Sequence, residues 1–242
     1  MAQAKLSLNK PYYDTCTVDI GNSGLKTGYF LNNNLLKIKS VRSRSIKRFQ
    51  LEPSKKIIVS SVVPEISKIL KKKYKNAEFV NHEQLKIAGM TENIGIDRAI
   101  NLFAAGKLYK EKSLCVIDFG TAITFTCSKN NSFVGGIICP GLDMMLAAIN
   151  KKTAQLPLLN EINPQQDILQ KKTEAAINSG IYHMVVISLQ QMILKVQDQL
   201  GGNLLVVATG GNSLKFTEKI ETIKIVNPTL LLEGLNLLAN NK

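Results

Sequence analysis

The sequence predicts an α/β protein made of two copies of one domain, each a mixed sheet flanked by helices. Two hairpins and the offset between them carry that expectation. Cys115 to Thr126 (CVIDFGTAITFT) brings an apolar run with Asp118 to a tight Gly120-Thr121-Ala122 corner and leaves it on a β-branched, aromatic run. That is the pattern of a strand, a narrow turn and a return strand. Thr15 to Gly28 (TCTVDIGNSGLKTG) repeats it. A shift of 99 residues lays Asp19 on Asp118, Gly21 on Gly120, Asn22 on Thr121, Ser23 on Ala122 and Thr27 on Thr126. One long offset of this kind marks a duplicated domain rather than a solenoid.

In chain order, residues 1–13 read as a short arm, 14–113 as the first domain and 114–242 as the second. Asn32-Asn33-Asn34 turns the first hairpin into a third strand. Lys56–Val63 is a short buried strand, Pro64 opens a helix ending in the Lys71–Lys75 cluster, and Ala77–Val80 is another strand. Gly95-Ile96-Asp97-Arg98 precedes a helix from Ala99 to Tyr109 with Ile100, Phe103, Ala104 and Leu108 on one face. Asp97 then falls near a helix N-terminus, where the macrodipole favours a carboxylate.

In the second half, Phe133–Ile138 is a strand with a glycine pair, and Pro140-Gly141 starts a helix. A loop rich in Leu, Pro and Asn leads to a long helix from Thr173, ended by Gly201-Gly202. Its stripe of Ile177, Ile181, Met184, Met192, Val196 and Leu200 is of the kind that faces a core or a dimer partner. Asn203–Ala208 is a strand feeding Thr209-Gly210-Gly211-Asn212, a turn that lets a ring or a phosphate approach the backbone. Pro228–Asn240 is the last helix.

Composition narrows the function classes. Of 242 residues, 45% are hydrophobic and 20% charged, which suits a globular chain and not a disordered one. The apolar patches are too short or too broken to span a membrane, and MAQAKLSLNKPYYDT lacks the apolar core of a signal peptide. Cys16, Cys115, Cys127 and Cys139 form no C-x-x-C pair and His82 and His183 lie far apart, so buried free thiols in a reducing cytoplasm are expected rather than a zinc site. The net charge of +13 is lopsided: residues 1–113 hold 21 basic against 9 acidic residues, and Lys37 to Lys75 alone holds 13 against 2. Such a field favours polyanions, and it equally describes a solvated face.

The two hairpins can hold a polyphosphate through backbone amides, hydroxyls and a cation-linked carboxylate. No P-loop, G-x-G-x-x-G or G-x-S-x-G pattern occurs, which disfavours a P-loop kinase, a Rossmann dehydrogenase and an α/β-hydrolase.

Several short motifs then add up. Asp19-Ile20-Gly21-Asn22-Ser23, Gly95-Ile96-Asp97-Arg98, Asp118-Phe119-Gly120-Thr121-Ala122 and Gly135-Gly136-x-x-x-Pro140-Gly141 follow one another. Thr153-Ala154-Gln155-Leu156-Pro157, Thr173 before Ile177-Asn178-Ser179-Gly180, and Thr209-Gly210-Gly211 complete the series. In this order they resemble type III pantothenate kinases. The resemblance implies the fold shared by acetate and sugar kinases, heat-shock ATPases and actin: two ribonuclease-H-like domains with ATP in the cleft.

It implies ATP-dependent phosphorylation of pantothenate in the cytoplasm by a homodimer, with magnesium on the ATP and a monovalent cation, potassium or ammonium. Carried over by position, Asp19, Ile20, Gly21, Asn22, Ser23, Gly24, Leu25 and Lys26 would form the first phosphate loop, with Thr121, Gly210 and Gly211 also at ATP. Asp118 would hold the monovalent cation and Asp97 would be the general base. Gly95, Ile96, Asp97, Arg98 and Thr173 would line the pantothenate site, Arg98 pairing with the substrate carboxylate. Ser23 stands where the family usually has Thr, and Ala88 where many members carry Tyr.

Two other readings remain open on sequence. One is a non-catalytic regulator resembling the Bvg accessory factors, its basic first domain binding nucleic acid or a partner. The other is a ribonuclease-H-like nuclease, which would need clustered carboxylates where each hairpin has one.

Overall fold

The computed structural model describes residues 12–240. Most of the arm expected at 1–13 lies outside them, and Tyr13 already opens the first strand. By packing, the described residues form two units: 12–84 with 235–240, and 85–234.

Unit one is built on β1 (Tyr13–Gly21), β2 (Gly24–Leu31), β3 (Asn34–Arg42), β4 (Ser54–Ser61) and β5 (Ala77–Phe79). The sheet order is β3-β2-β1-β4-β5, antiparallel through the two hairpins and parallel from β1 to β5. Cys16, Val18 and Ile20 alternate along β1 and pack with Leu25, Tyr29, Ile57, Val59 and Leu70, while Thr15 and Thr17 on the opposite face are buried as well. Burial pushes the Cys16 thiol up to about 12. Helix α1 (Pro64–Lys73) has proline at its start, Glu65 in its first turn and Lys71, Lys72 and Lys73 in its last, each end matched to the macrodipole.

Part of the basic segment is tied up within this unit. Lys37 and Lys39 both reach Glu52, at 2.7 and 2.5 Å, and hold its carboxyl down to about 2. Lys73 Nζ donates to the Phe49 carbonyl at 2.6 Å, and Lys71 lies over the Phe79 ring. These contacts favour the solvated, structural reading of that charge.

Unit two repeats the plan with β6 (Leu114–Phe119), β7 (Ala122–Lys129), β8 (Ser132–Pro140), β9 (Leu205–Thr209) and β10 (Ile225–Val226). Their order is β8-β7-β6-β9-β10, the first sheet's order strand for strand. The helices are α2 (Ile96–Tyr109), α3 (Leu142–Lys152), α4 (Thr173–Leu200), the single turn α5 (Leu214–Thr217) and the first turn of α6 (Leu230–Asn240). Phe119, Phe216 and Tyr182 stack within the larger core, with ring centroids 5.7 and 5.5 Å apart. Of the stripe on α4, Ile177 and Ile181 are buried, Met192, Val196 and Leu200 pack against this core, and Met184 is exposed.

The structure refines the repeat. Asp19 pairs with Lys26 whereas Asp118 pairs with Thr124, so the offset is 99 along the first strand and 98 from the turn onward. Four residues separate the paired Ile20 and Leu25, and three separate the paired Phe119 and Ile123. Thr27 therefore matches Phe125, not Thr126. The β-bulges after Tyr29 and after Cys127 keep the same 98, as do the next turns, where Asn32-Asn33 and Asn130-Asn131 have positive φ while Asn34 and Ser132 are already in strands.

The packing units also divide elsewhere than at 113. Helix α2, last element of the first repeat, packs with the second sheet: Leu102, Ala104 and Ala105 join Leu114, Val116 and Val207. Helix α6, last element of the second repeat, runs its final residues into unit one, where Asn236 and Asn240 donate to Asn33 Oδ1.

Candidate active site

Helix α2 starts one residue after Gly95, and its first turn carries Asp97 and Arg98. Asp97 Oδ1 accepts the Arg98 backbone N–H at 2.8 Å, so one carboxylate oxygen is tied to the helix that bears it. Arg98 turns to the sheet: Nε donates to Thr126 Oγ1 at 3.1 Å and Nη2 to the Phe125 carbonyl at 2.9 Å. Gly136 on β8 makes room for it, since a Cβ there would collide with Nη2. Burial lowers the Arg98 pKa from its ordinary value and the Asp97 charge opposes that shift. Two of the five guanidinium N–H groups are engaged, which leaves donors for a further acceptor.

One turn further along α2, buried Asn101 donates from Nδ2 to Asp118 Oδ2 at 3.1 Å. Asp118 is the last residue but one of β6, and its other oxygen lies against Gly210, which has φ of 91° and follows β9. A side chain at Gly210 would be strained and would strike Asp118 Oδ1 and the Phe119 backbone. Gly211 has open space around it. Of the glycine pair expected at ATP, Gly210 is therefore demanded by protein packing, and Gly211 is the one with room beside it. Thr121 is exposed on the β6–β7 turn and Thr173 is exposed at the start of α4.

A profile of the type III pantothenate kinase family matches residues 16–195. The chain belongs to that family. It is 37% identical over 216 residues to a type III pantothenate kinase from Thermosipho melanesiensis, covering 81% of this chain and 86% of that protein. In fold it is similar to a Baf family protein from Campylobacter jejuni, with a TM-score of 0.63, 22% identity and coverage of 92% and 96%. An inorganic polyphosphate/ATP-glucomannokinase from Arthrobacter gives a TM-score of 0.50 at 15% identity over 95% of this chain and all of that one. The duplicated ribonuclease-H-like architecture is thus the fold of this pantothenate kinase family member.

Set on this fold, unit two brings Asp97, Arg98 and Asp118 together through α2, β6 and β7. Residues 19–26 form the first hairpin of unit one, where Ile20 and Leu25 point into the core and only their backbone is available to a ligand. Ile96 is likewise buried. Ala88 is exposed, its carbonyl accepting the Phe133 N–H at 2.8 Å beside the edge strand β8. The sequence reading missed Asn101. The available signal was a polar residue four positions after Asp97, inside an otherwise apolar helical face.

Proposed function

We propose that this pantothenate kinase family member transfers the γ-phosphoryl group of ATP to the primary hydroxyl of pantothenate, giving 4'-phosphopantothenate and ADP. The observation that carries the reading is the first turn of α2. Asp97 presents a carboxylate with one oxygen tied to backbone, and Arg98 is fixed on β7 with donors left over. Arg98 binds the pantothenate carboxylate, with Gly95 and Ile96 lining that end through their backbone and Thr173 adding a hydroxyl. Asp97 takes the proton of the attacking hydroxyl as the oxygen–phosphorus bond forms and the bond from the γ-phosphorus to its bridging oxygen breaks. The transition state is loose, so positioning and charge neutralisation dominate and the base acts late.

Residues 19–26, Thr121 and Gly211 take the ATP phosphates, with Lys26 the cation among them. Asp118 is the residue to hold potassium or ammonium: it is an oxygen donor with a glycine cradle on one side, chemistry suited to a hard cation. When bound, magnesium on the ATP and this cation would supply positive charge to the phosphoryl group. Residues 14–113 and 114–242 remain our reading of the two ancestral copies, supported by their shared strand order.

Among the described helices none is long and apolar enough to cross a membrane. A cytoplasmic protein is supported by the buried, unlinked thiols of Cys16, Cys115 and Cys127. A homodimer is supported by Met184, Ile187 and Leu194, exposed apolar residues along one side of α4; Ile187→Glu should shift the sedimentation coefficient to that of a monomer.

Purified protein incubated with ATP, magnesium and pantothenate, with and without potassium or ammonium, should give phosphopantothenate by mass spectrometry. No product under any of these conditions would overturn the reading.

A further inference from the structure

Asn101 is only 2% exposed, in a stretch of α2 where Ile100, Leu102, Phe103 and Ala104 are buried as well, so the helix is covered all round. Its amide cannot be turned around: an ionised carboxylate only accepts, so nitrogen must face Asp118 and the carbonyl oxygen must point away. That oxygen, Oδ1, is buried without a hydrogen-bond partner among the described residues. A stranded buried carbonyl weakens a fold, and leucine would fill nearly the same volume with none. Packing therefore does not call for asparagine here; the bond to Asp118 does. The same bond fixes rotation, because Asn101 lies four residues after Asp97 and so on the same face of α2.

We propose that Asn101 is a positioning residue for the phosphoryl transfer: it holds Asp118 in one orientation against Gly210 and locks the turn bearing Asp97 to β6. The inference rests on the kinase reading above. Asp118 Oδ2 accepts from the Asn101 amide, and Oδ1 occupies the space that a Cβ on residue 210 would need. Removing the amide withdraws the donor that fixes Oδ2, so the carboxylate rotates while the fold stays.

Asn101→Leu, which removes the stranded oxygen, tests this. The expected thermal midpoint is equal to or above wild type, while kcat falls about tenfold and KM for pantothenate stays near its starting value. The rise in thermal midpoint on adding potassium chloride, measured against choline chloride at the same ionic strength, should shrink. In an Asp118→Asn background the substitution should add nothing further, as required of a residue acting through Asp118. Unchanged kcat with an unchanged potassium shift overturns the proposal, and so does a full additional loss in the Asp118→Asn background. Should the leucine variant fail to fold, Asn101→Ser carries the same measurements. If wild type forms no phosphopantothenate, the kinase reading fails by itself, and the potassium shift still decides whether Asn101 acts on Asp118.

Discussion

The two sheets share strand order, strand directions, bulges and asparagine turns, yet they are stabilised and used differently. Sheet one has the longer turn, Gly21 to Gly24, and carries its ion pairs outside, Glu52 with Lys37 and Lys39 and Asp14 with Lys55. Sheet two has the shorter turn and a larger aromatic and aliphatic core, and it receives the helix that bears Asp97. The difference teaches that duplication copied a scaffold and left the chemistry to what was added at its ends. The acid common to both copies, Asp19 or Asp118, is a binding group in our reading. The carboxylate we assign to catalysis, Asp97, lies outside both hairpins.

The sharpest way to break that contrast is Asp97→Asn. The turnover number should fall about 10²- to 10⁴-fold, the usual contribution of a general base, with circular dichroism and thermal midpoint unchanged. Comparable losses from Asp19→Asn and Asp118→Asn, with Asp97→Asn near wild type, would return catalysis to the copied acids.

The glycine pair comes next. Gly210→Ala forces a side chain into the φ of 91° and onto Asp118, and should destabilise the protein by about 1–3 kcal/mol in denaturant titrations. Gly211→Ala, in open space, should leave stability near wild type. Equal effects at the two positions would remove the distinction between packing and access.

In the first hairpin, Lys26→Ala should raise KM for ATP about tenfold, the scale of one charge-assisted hydrogen bond, with little change in KM for pantothenate. The smallest expected effect concerns the outer ion pairs. The Glu52 carboxyl is held down to about 2 by hydrogen bonds from Lys37 and Lys39 and by their charge. A lowered folded pKa stabilises above the unfolded value and is lost as pH falls through the folded one. The stability difference between wild type and Glu52→Gln should therefore be constant at neutral pH and fade between about pH 4.5 and 2. Because both lysines are partly exposed, it should also shrink in high salt.

How far the sequence reads depends on how local the signal is. The hairpins were legible because apolar alternation and Gly/Asn turns are written in neighbouring residues. The register after the turn was not: Thr27 and Thr126 look alike, and a one-residue difference in loop length shows only in the pairing of Lys26 with Asp19 and of Thr124 with Asp118. Asp97 and Arg98 were legible as a motif, whereas the partners of Arg98 lie 27 and 28 residues away on β7. Asn101 was hidden in an apolar face, its meaning set by a strand end 17 residues on. The division at 84 and 234 escaped for the same reason, since nothing in α2 or α6 announces which sheet it will cover.

The path of α6 has a consequence for how the molecule is made. Residues 12–84 leave the ribosome first, but the residues that clasp Asn33 and Lys56 of that sheet, Asn236, Ala239 and Asn240, are synthesised about 150 residues later. The first sheet must wait without those contacts while all of unit two is translated. Its closure joins groups 183 to 207 residues apart, a step that contact order makes slow. A part of the chain that appears before unit two is thus finished after it.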